Sequence, residues 1–124
     1  MHISKFRISA AATGQVKVIA QRAGLTPNLI CRMAMLVSFE SGPVSGEDNE
    51  TPEGQEFNAY TLFGDFQPIF VDLLRFVEYD SNGGEVDDQV LLQRLRLHID
   101  RGIRQLSVRI KSPADAAELI AGAS

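Results

Sequence analysis

The sequence predicts a mainly α-helical domain that opens on one short strand and two helices and continues into further packed helices. Three observations predict it. Polarity alternates over residues 4–9, and apolar residues then recur at helical spacing through most of the chain. Glycine, proline and N-capping residues mark the change from one segment to the next.

In Ser4-Lys5-Phe6-Arg7-Ile8-Ser9, Phe6 and Ile8 share one face and Lys5 and Arg7 the other, the pattern of a half-buried strand. Ser9, Ala10 and Thr13 offer starts for a first helix. Its stripe is Val16, Ile19, Ala20 and Ala23, flanked by Lys17 and Arg22. Gly24 suits the left-handed position just past its end. Thr26 as N-cap and Pro27 as first helical residue start a second helix that runs to about Phe39. That helix is apolar on nearly every side: Leu29, Met33 and Leu36 form one stripe, Ile30 and Val37 widen it, and Met35 and Phe39 project elsewhere. A small domain seldom buries a helix all round. Met33, Met35 and Phe39 are therefore expected at an interface between copies of the chain, making it an oligomer.

Residues 41–64 form an acidic connecting region. A loop over 40–58, longer than most connections, takes up most of it, with a short strand or extended clip at Phe57–Leu62. Asp65 is expected to cap a third helix carrying Phe66, Ile69, Phe70, Leu73, Leu74 and Val77, with Pro68 tolerated in its first turn. Residues 81–84, Ser-Asn-Gly-Gly, break the chain. A fourth helix over about Asp87 to Arg109 is acidic at its start and basic at its end, as the helix dipole favours. Gly102 inside it costs ~1 kcal/mol against alanine unless it permits a close helix crossing. Ser112-Pro113-Ala114-Asp115 starts a short last helix. The helical part spans 65–120, after a first unit over 1–40.

At 124 residues and 13.6 kDa the chain is the size of one domain, 1–124. Its 44% apolar and 23% charged residues exclude a collagen-like, disordered or disulfide-stapled chain. Cys31 is the only cysteine, which excludes an internal disulfide and fits a reducing cytoplasm. No apolar run approaches the ~18 residues of a membrane span, and the N-terminus lacks the apolar stretch of a signal peptide. A cytoplasmic protein without membrane contact is expected. Charge is divided by region: +5 over residues 1–39, −12 over 40–90 and +3 over 91–124. A basic N-terminal segment in an acidic chain is either a polyanion surface or a solubilising pattern.

A search for chemistry finds no catalytic residues. His2 and His98 lack a ligand partner one helical turn on, and His98 reads as structural. Cys31 reads as an interior helix cysteine. The acids of 47–56 lack the alternation of a calcium loop, and there is no phosphate-binding glycine loop or serine elbow. Neither a metal nor a cofactor is expected. A DNA-binding constellation is better supported. One strand followed by two helices, the second too apolar for a monomer, is the plan of a ribbon-helix-helix-like dimer, in which the strands of two copies pair and enter the major groove. Lys5 and Arg7 would then face outward, Lys17 and Arg22 would widen the basic rim, and Thr26 and Asn28 at the start of the second helix would offer N–H groups to a phosphate. A strand packed on its own domain is the structural alternative. On the fourth helix, Arg96, Asp100 and Arg104 follow i, i+4, i+8 as an ion-pair ladder, and Arg94, Arg101 and Arg104 make a second candidate basic surface.

Three separated segments resemble the DndE family, the small subunit of the DNA sulfur-modification machinery. They are Arg22-Ala23-Gly24-Leu25-Thr26-Pro27-Asn28-Leu29-Ile30-Cys31-Arg32; Gly54-Gln55-Glu56-Phe57-Asn58 with Tyr60-Thr61-Leu62 and Gly64; and Leu97-His98-Ile99-Asp100-Arg101-Gly102, followed by Arg109-Ile110-Lys111. Their order spans residues 4 to about 119. The resemblance implies a role in replacing a non-bridging phosphate oxygen of DNA by sulfur, a restriction-modification-like defence. A cysteine desulfurase, an ATPase and an iron–sulfur sulfurtransferase act alongside. It implies an oligomeric, often tetrameric, DNA-binding component with a preference for nicked duplex. The DNA contacts themselves rest on the residues: Lys5, Arg7, Lys17, Arg22, Thr26 and Asn28. The leading expectation is a non-catalytic, double-stranded-DNA-binding subunit of a phosphorothioation complex. The alternatives are a free-standing ribbon-helix-helix transcriptional regulator and a protein scaffold of the complex without DNA contact.

Overall fold

Phe6 has its expected strand geometry, but the partner strand comes from the same chain. In the computed structural model, which describes residues 1–44, 53–80 and 83–122, β1 (Lys5–Arg7) pairs antiparallel with β2 (Glu56–Asn58). The register sets Phe6 opposite Phe57, both buried, and Arg7 opposite Glu56. The other edge of β1 is covered: Arg96 Nε donates to the Arg7 carbonyl at 3.2 Å, and its guanidinium lies 5.5 Å from the centre of the Phe6 ring. Pairing with β2 of the same chain thus stands where the expected pairing with a second copy of β1 would have been. β2 supplies the backbone groups that a second copy would have had to supply.

The described residues hold helices α1 (Ala10–Ala23), α2 (Pro27–Glu40), α3 (Ala59–Phe63), α4 (Gln67–Glu78), α5 (Asp88–Arg109) and α6 (Pro113–Gly122), all but α3 following from the apolar periodicity. Ser9 caps α1 by accepting from Ala12 N–H, and Gly24 ends it in the left-handed region at φ +71°. Asp87 caps α5 through Val90 N–H, and Ser112 accepts from Asp115 N–H at the start of α6. α3 is a departure from expectation. The segment read as extended clip divides, with Glu56–Asn58 as strand and Asn58 then capping a helical turn through Tyr60 N–H. A 3₁₀ turn over Gly64–Phe66 leads into α4, so Phe66 rather than Asp65 stands at its N-cap. The expected loop at 40–58 and the break at 81–84 lie partly outside the described residues.

α2 and α5 form the centre of the core, and α1 and α4 each pack on that pair. Ile30, Cys31, Ala34 and Met35 of α2 and Leu95, Ile99, Ile103 and Leu106 of α5 are fully or almost fully buried. This accounts for the apolar character of α2 without a second copy. Met35 and Phe39, expected at an intermolecular interface, are 0% and 7% exposed within the chain, and Met33 packs partly against the same core. Only Leu29 and Leu36 of the helix's large apolar residues are exposed. The crossing is close because of Gly102, where a Cβ would overlap the Ala34 carbonyl. The cost anticipated for a glycine inside α5 is thus offset by the approach it allows.

Candidate nucleic-acid interface

Exposed cations stand on two neighbouring parts of the surface. The first is the β1 ribbon, where Lys5 is exposed and Arg7 is half-exposed. Arg7 Nη1 donates to the Gly54 carbonyl at 2.9 Å, and Arg7 pairs with Glu56 at 3.6 Å. Exposed pairs of this kind are weak enough to exchange for another anion. The second lies where α1 meets the end of α5. Arg22 and Ser107 line one shallow hollow of about 250 Å³ together with Gly14, Gln15 and Val18. Lys111 Nζ donates to the Ser107 carbonyl at 2.8 Å, which holds this cation beside the hollow, and Arg104 stands one turn before Ser107 on α5, where its backbone carbonyl accepts from the Ser107 hydroxyl at 2.8 Å. Arg22, Arg104 and Lys111 are all exposed. Arg22 thus sits with cations eighty residues away in sequence, which periodicity alone could not reveal. Lys17 is exposed further round α1. At the start of α2, Thr26 is extended and its side chain makes no cap bond, so it leaves the first-turn N–H groups uncapped; Asn28 is half-buried there.

Arg94 and Arg101, expected with Arg104 on a second basic surface, are instead committed to the segment after α2. Arg101 Nε donates to Ser38 Oγ at 2.8 Å and Nη1 to the Pro43 carbonyl at 3.1 Å, while Nη2 reaches the carbonyls of Ser38 and Gly42. The guanidinium fork thus joins the last turn of α2, at Ser38, to the segment that follows it, at Gly42 and Pro43. Arg94 Nη1 donates to the Val44 carbonyl at 3.0 Å, and its Nε lies 3.7 Å from Glu78. Arg104 alone of the three is exposed.

Beneath these arginines lies a polar cluster that the sequence did not disclose. Ser38, His98 and Glu78 are each 0% exposed. His98 Nδ1 lies 2.8 Å from Ser38 Oγ and Nε2 lies 2.8 Å from Glu78 Oε2, which also accepts from Val44 N–H at 3.1 Å. The hydrogen-bond chain fixes the tautomer. The Glu78 carboxylate, already accepting from Val44 N–H, can only accept, so Nε2 carries the proton of the neutral ring and donates to it; Nδ1 then accepts from the Ser38 hydroxyl, whose oxygen accepts from Arg101. Serine, histidine and glutamate in a row resemble a hydrolase triad in composition, yet all three are sealed from solvent, and no substrate carbonyl can reach Ser38 in this arrangement. The cluster ties α2, α4 and α5 together.

Burial pulls the His98 imidazole below the ordinary histidine range, with Arg101 and Arg94 adding to that effect and Glu78 opposing it. The folded chain therefore holds the ring neutral, whereas the unfolded chain protonates it as pH falls through about 6.5. The stabilisation is complete above that value and is lost as pH falls from it towards the lower folded pKa. Melting temperature is expected to drop between pH 7 and 5, and His98→Gln should flatten that dependence. An unchanged slope in the variant would contradict the assignment. Cys31 is likewise inert: burial pushes its thiol up to about 12. Among the described residues, no three His, Cys, Asp or Glu side chains gather to hold a metal ion. No helix there is long and apolar enough to cross a membrane.

The three segments singled out in the sequence converge in space. Arg32, closing the first, donates from Nε to the Leu62 carbonyl at 2.8 Å and from Nη2 to the Thr61 carbonyl at 3.1 Å, both in the second. Gly64 leaves room for that guanidinium. Gly54 sits against Ser9 and Thr13 where a Cβ would overlap them, and Asp100 of the third segment accepts from Ser9 Oγ at 2.9 Å. No curated protein matches the chain. Among solved structures, DndE from Escherichia coli B7A, involved in DNA phosphorothioation modification, is similar with a TM-score of 0.73 and 21% identity, over 86% of this chain and 98% of that one. A glycine-to-lysine mutant of DndE involved in DNA phosphorothioation is similar with a TM-score of 0.71 and 21% identity, over 86% and 99%. These likenesses show a shared fold. The family of DNA sulphur modification protein DndE matches residues 5–114, nearly the whole of the chain in which these segments interlock, and the chain belongs to the DndE family.

Proposed function

We propose that the chain is a non-catalytic, DNA-contacting subunit of a phosphorothioate-modification complex, acting on duplex DNA, nicked duplex included. The observation that carries this reading is the gathering of exposed Arg22, Arg104 and Lys111 around Ser107, with Lys5 and Arg7 on the ribbon. A cluster of exposed cations in an acidic chain of net charge −4 is an unequal distribution that favours a polyanion. Lys17 and the uncapped start of α2 at Thr26 and Asn28 extend the same reading to further phosphates. The contacts are to backbone phosphates, which position a subunit without selecting sequence. The ATPase and the iron–sulfur sulfurtransferase subunit would supply target choice and chemistry, and the acidic stretch over 40–90 faces protein partners. A homo-oligomer would repeat the cationic surface along the duplex.

Salt titration tests it. Log affinity for a duplex should fall linearly with log salt, by ~0.9 per phosphate neutralised, and Arg22→Ala with Arg104→Ala should reduce that slope by about 1.8. Both residues are exposed, so thermal stability should be unchanged. Affinity that stays flat between roughly 50 and 200 mM salt, or a double variant with the parental slope, would reject a phosphate-binding role for this surface.

A further inference from the structure

The outer face of α2 keeps an apolar stripe that the core covers only in part and the cationic surface does not use. Met33, Leu36, Val37 and Glu40 follow i, i+3, i+4 and i+7, so they share one face of the helix. Leu36 is 47% exposed there, while Met33 and Val37 are partly buried against the core. The last turn of α6 stands across from this face with Leu119 and Ile120, the second 56% exposed. Between the two helices lies a largely apolar groove of about 460 Å³. A hollow of about 400 Å³ continues it past the end of α5 and shares Val37, Glu40 and Arg109 with it. The wall at Glu118–Gly122 lies past residue 114, where the family match ends, so the shared fold does not account for it.

We propose that this groove receives an amphipathic helix of a different protein, one whose apolar stripe is flanked by lysine or arginine. A trough between two helices admits a third, with anchors at i, i+3, i+4 and i+7 interleaving with the stripe. Met33 to Glu40 covers two helical turns, roughly 10 Å along the axis, which sets the length of the contact. The sign of the partner follows from the charges. Glu40 ends α2 and Glu118 stands on α6, both exposed, and neither makes an ion pair or side-chain hydrogen bond among the described residues. A carboxylate at a helix C-terminus opposes the dipole, and α2 has no basic residue in its last turn to offset it. A cation of the partner beside Glu40 relieves both. Arg109, the cation of the groove, already matches the dipole at the end of α5. Gln105 adds an acceptor. Its Nε2 donates to Ser41 Oγ at 3.0 Å, which leaves Oε1 buried with no donor among the described residues. The amide lines the second hollow, where a lysine or arginine N–H supplies the missing donor. The same carboxylates repel DNA phosphates. The groove and the hollow at Arg22 and Ser107 therefore select opposite charges on either side of the end of α5.

The probe is a labelled peptide of leucine and lysine, with leucine at i, i+3, i+4 and i+7 and lysine elsewhere. Fluorescence anisotropy at roughly 0.15 M salt, where distant charges are screened, should show it bound by the parent protein. Glu40→Lys together with Glu118→Lys should weaken it by about ten-fold or more, and Glu40→Lys alone should not lower the melting temperature. Asp72→Lys together with Asp80→Lys changes the net charge equally, on exposed residues outside the groove, and should leave the affinity unchanged. Methyl spectra should place the peptide-induced shifts at Leu36, Val37, Leu119 and Ile120. A peptide of the same composition in scrambled order, and one with glutamate in place of lysine, should not bind. No binding of the leucine–lysine peptide, equal weakening by the two charge pairs, or shifts away from the groove would overturn the proposal. A Leu36→Asp protein of lower mass than the parent in light scattering would also overturn it, by assigning the groove to a second copy of the chain. None of these measurements involves DNA, so their failure leaves the salt test of the cationic surface standing.

Discussion

Gly102→Ala is expected to destabilise the chain by more than about 3 kcal/mol, a larger effect than inserting one methyl group into most cores produces. The added Cβ would coincide with the Ala34 carbonyl carbon and oxygen, and backbone atoms cannot rotate out of the way as a side-chain tip can. Relief requires α2 to move away from α5, and this crossing is where Ile30, Ala34, Ile99, Ile103 and Leu106 exclude water. Separation would also draw Arg101 off the Ser38 hydroxyl and carbonyl in the last turn of α2. Gly14→Ala is the control of opposite sign. It sits on the exposed side of α1 with nothing within 4 Å of its would-be Cβ, so the same substitution should stabilise the protein by ~0.5–1 kcal/mol through helix propensity alone. Urea denaturation of both variants checks the pair. Equal midpoints for Gly102→Ala and the parent would mean that the helices do not cross this closely.

Gly102 shows what kind of information the sequence holds. Its position inside an amphipathic stripe is enough to pose a close crossing, and Ser9, Gly24 and Ser112 are legible at the ends of their helices because caps are local. α3 was not legible: five residues are too few for periodicity to separate helix from extended chain. The strand's partner was misassigned for a different reason. Alternation identifies a half-buried strand but says nothing of which strand pairs with it, and Phe57 is fifty-one residues away from Phe6. Met35 and Phe39 were placed at an interface because a helix that is apolar all round has two explanations, another chain or a central position in its own. The candidate site divides in the same way. Lys5, Arg7, Lys17 and Arg22 were found as exposed charges, but the association of Arg22 with Arg104 and Lys111 depends on how α1 packs on α5. Arg94 and Arg101 carry the same charge in sequence and do unrelated work in the fold. Of the residues that carry the family resemblance, Arg32 and Gly64 hold the first segment against the second, while Gly54, His98, Arg101 and Gly102 fasten their segments to β1, α1, α2 and α4. They hold the fold together, while the surface proposed to meet DNA is divided between residues of those segments, Arg22 and Lys111, and residues outside them, Lys5, Arg7 and Arg104.

Glu78→Ala is expected to cost about 3–5 kcal/mol, the range for breaking one member out of a buried ionic group. The carboxylate is 0% exposed and serves several donors at once: Val44 N–H at 3.1 Å, His98 Nε2 at 2.8 Å and Arg94 Nε at 3.7 Å. Truncation leaves the His98 N–H and the Val44 N–H buried without the acceptor they use, and each such loss is worth ~1–3 kcal/mol. It also removes the countercharge beneath Arg94 and Arg101, two cations already drawn towards the interior. Glu78→Gln should cost less, because a single amide oxygen still accepts from His98 or Val44 while the NH₂ faces donors it cannot serve. The order Ala below Gln below parent in unfolding free energy is therefore the expected result. A double-mutant cycle with His98→Ala separates a network from a cavity: if the residues act together, the double variant should be less destabilised than the two single losses added, by ~0.5–3 kcal/mol. Additive losses would mean that Glu78 and His98 are merely neighbours. Because the cluster joins α2, α4 and α5 beneath Arg94 and Arg101 and makes no contact with Arg22, Arg104 or Lys111, a folded Glu78→Gln protein should keep the parental salt dependence of the proposed DNA binding, with the loss confined to stability.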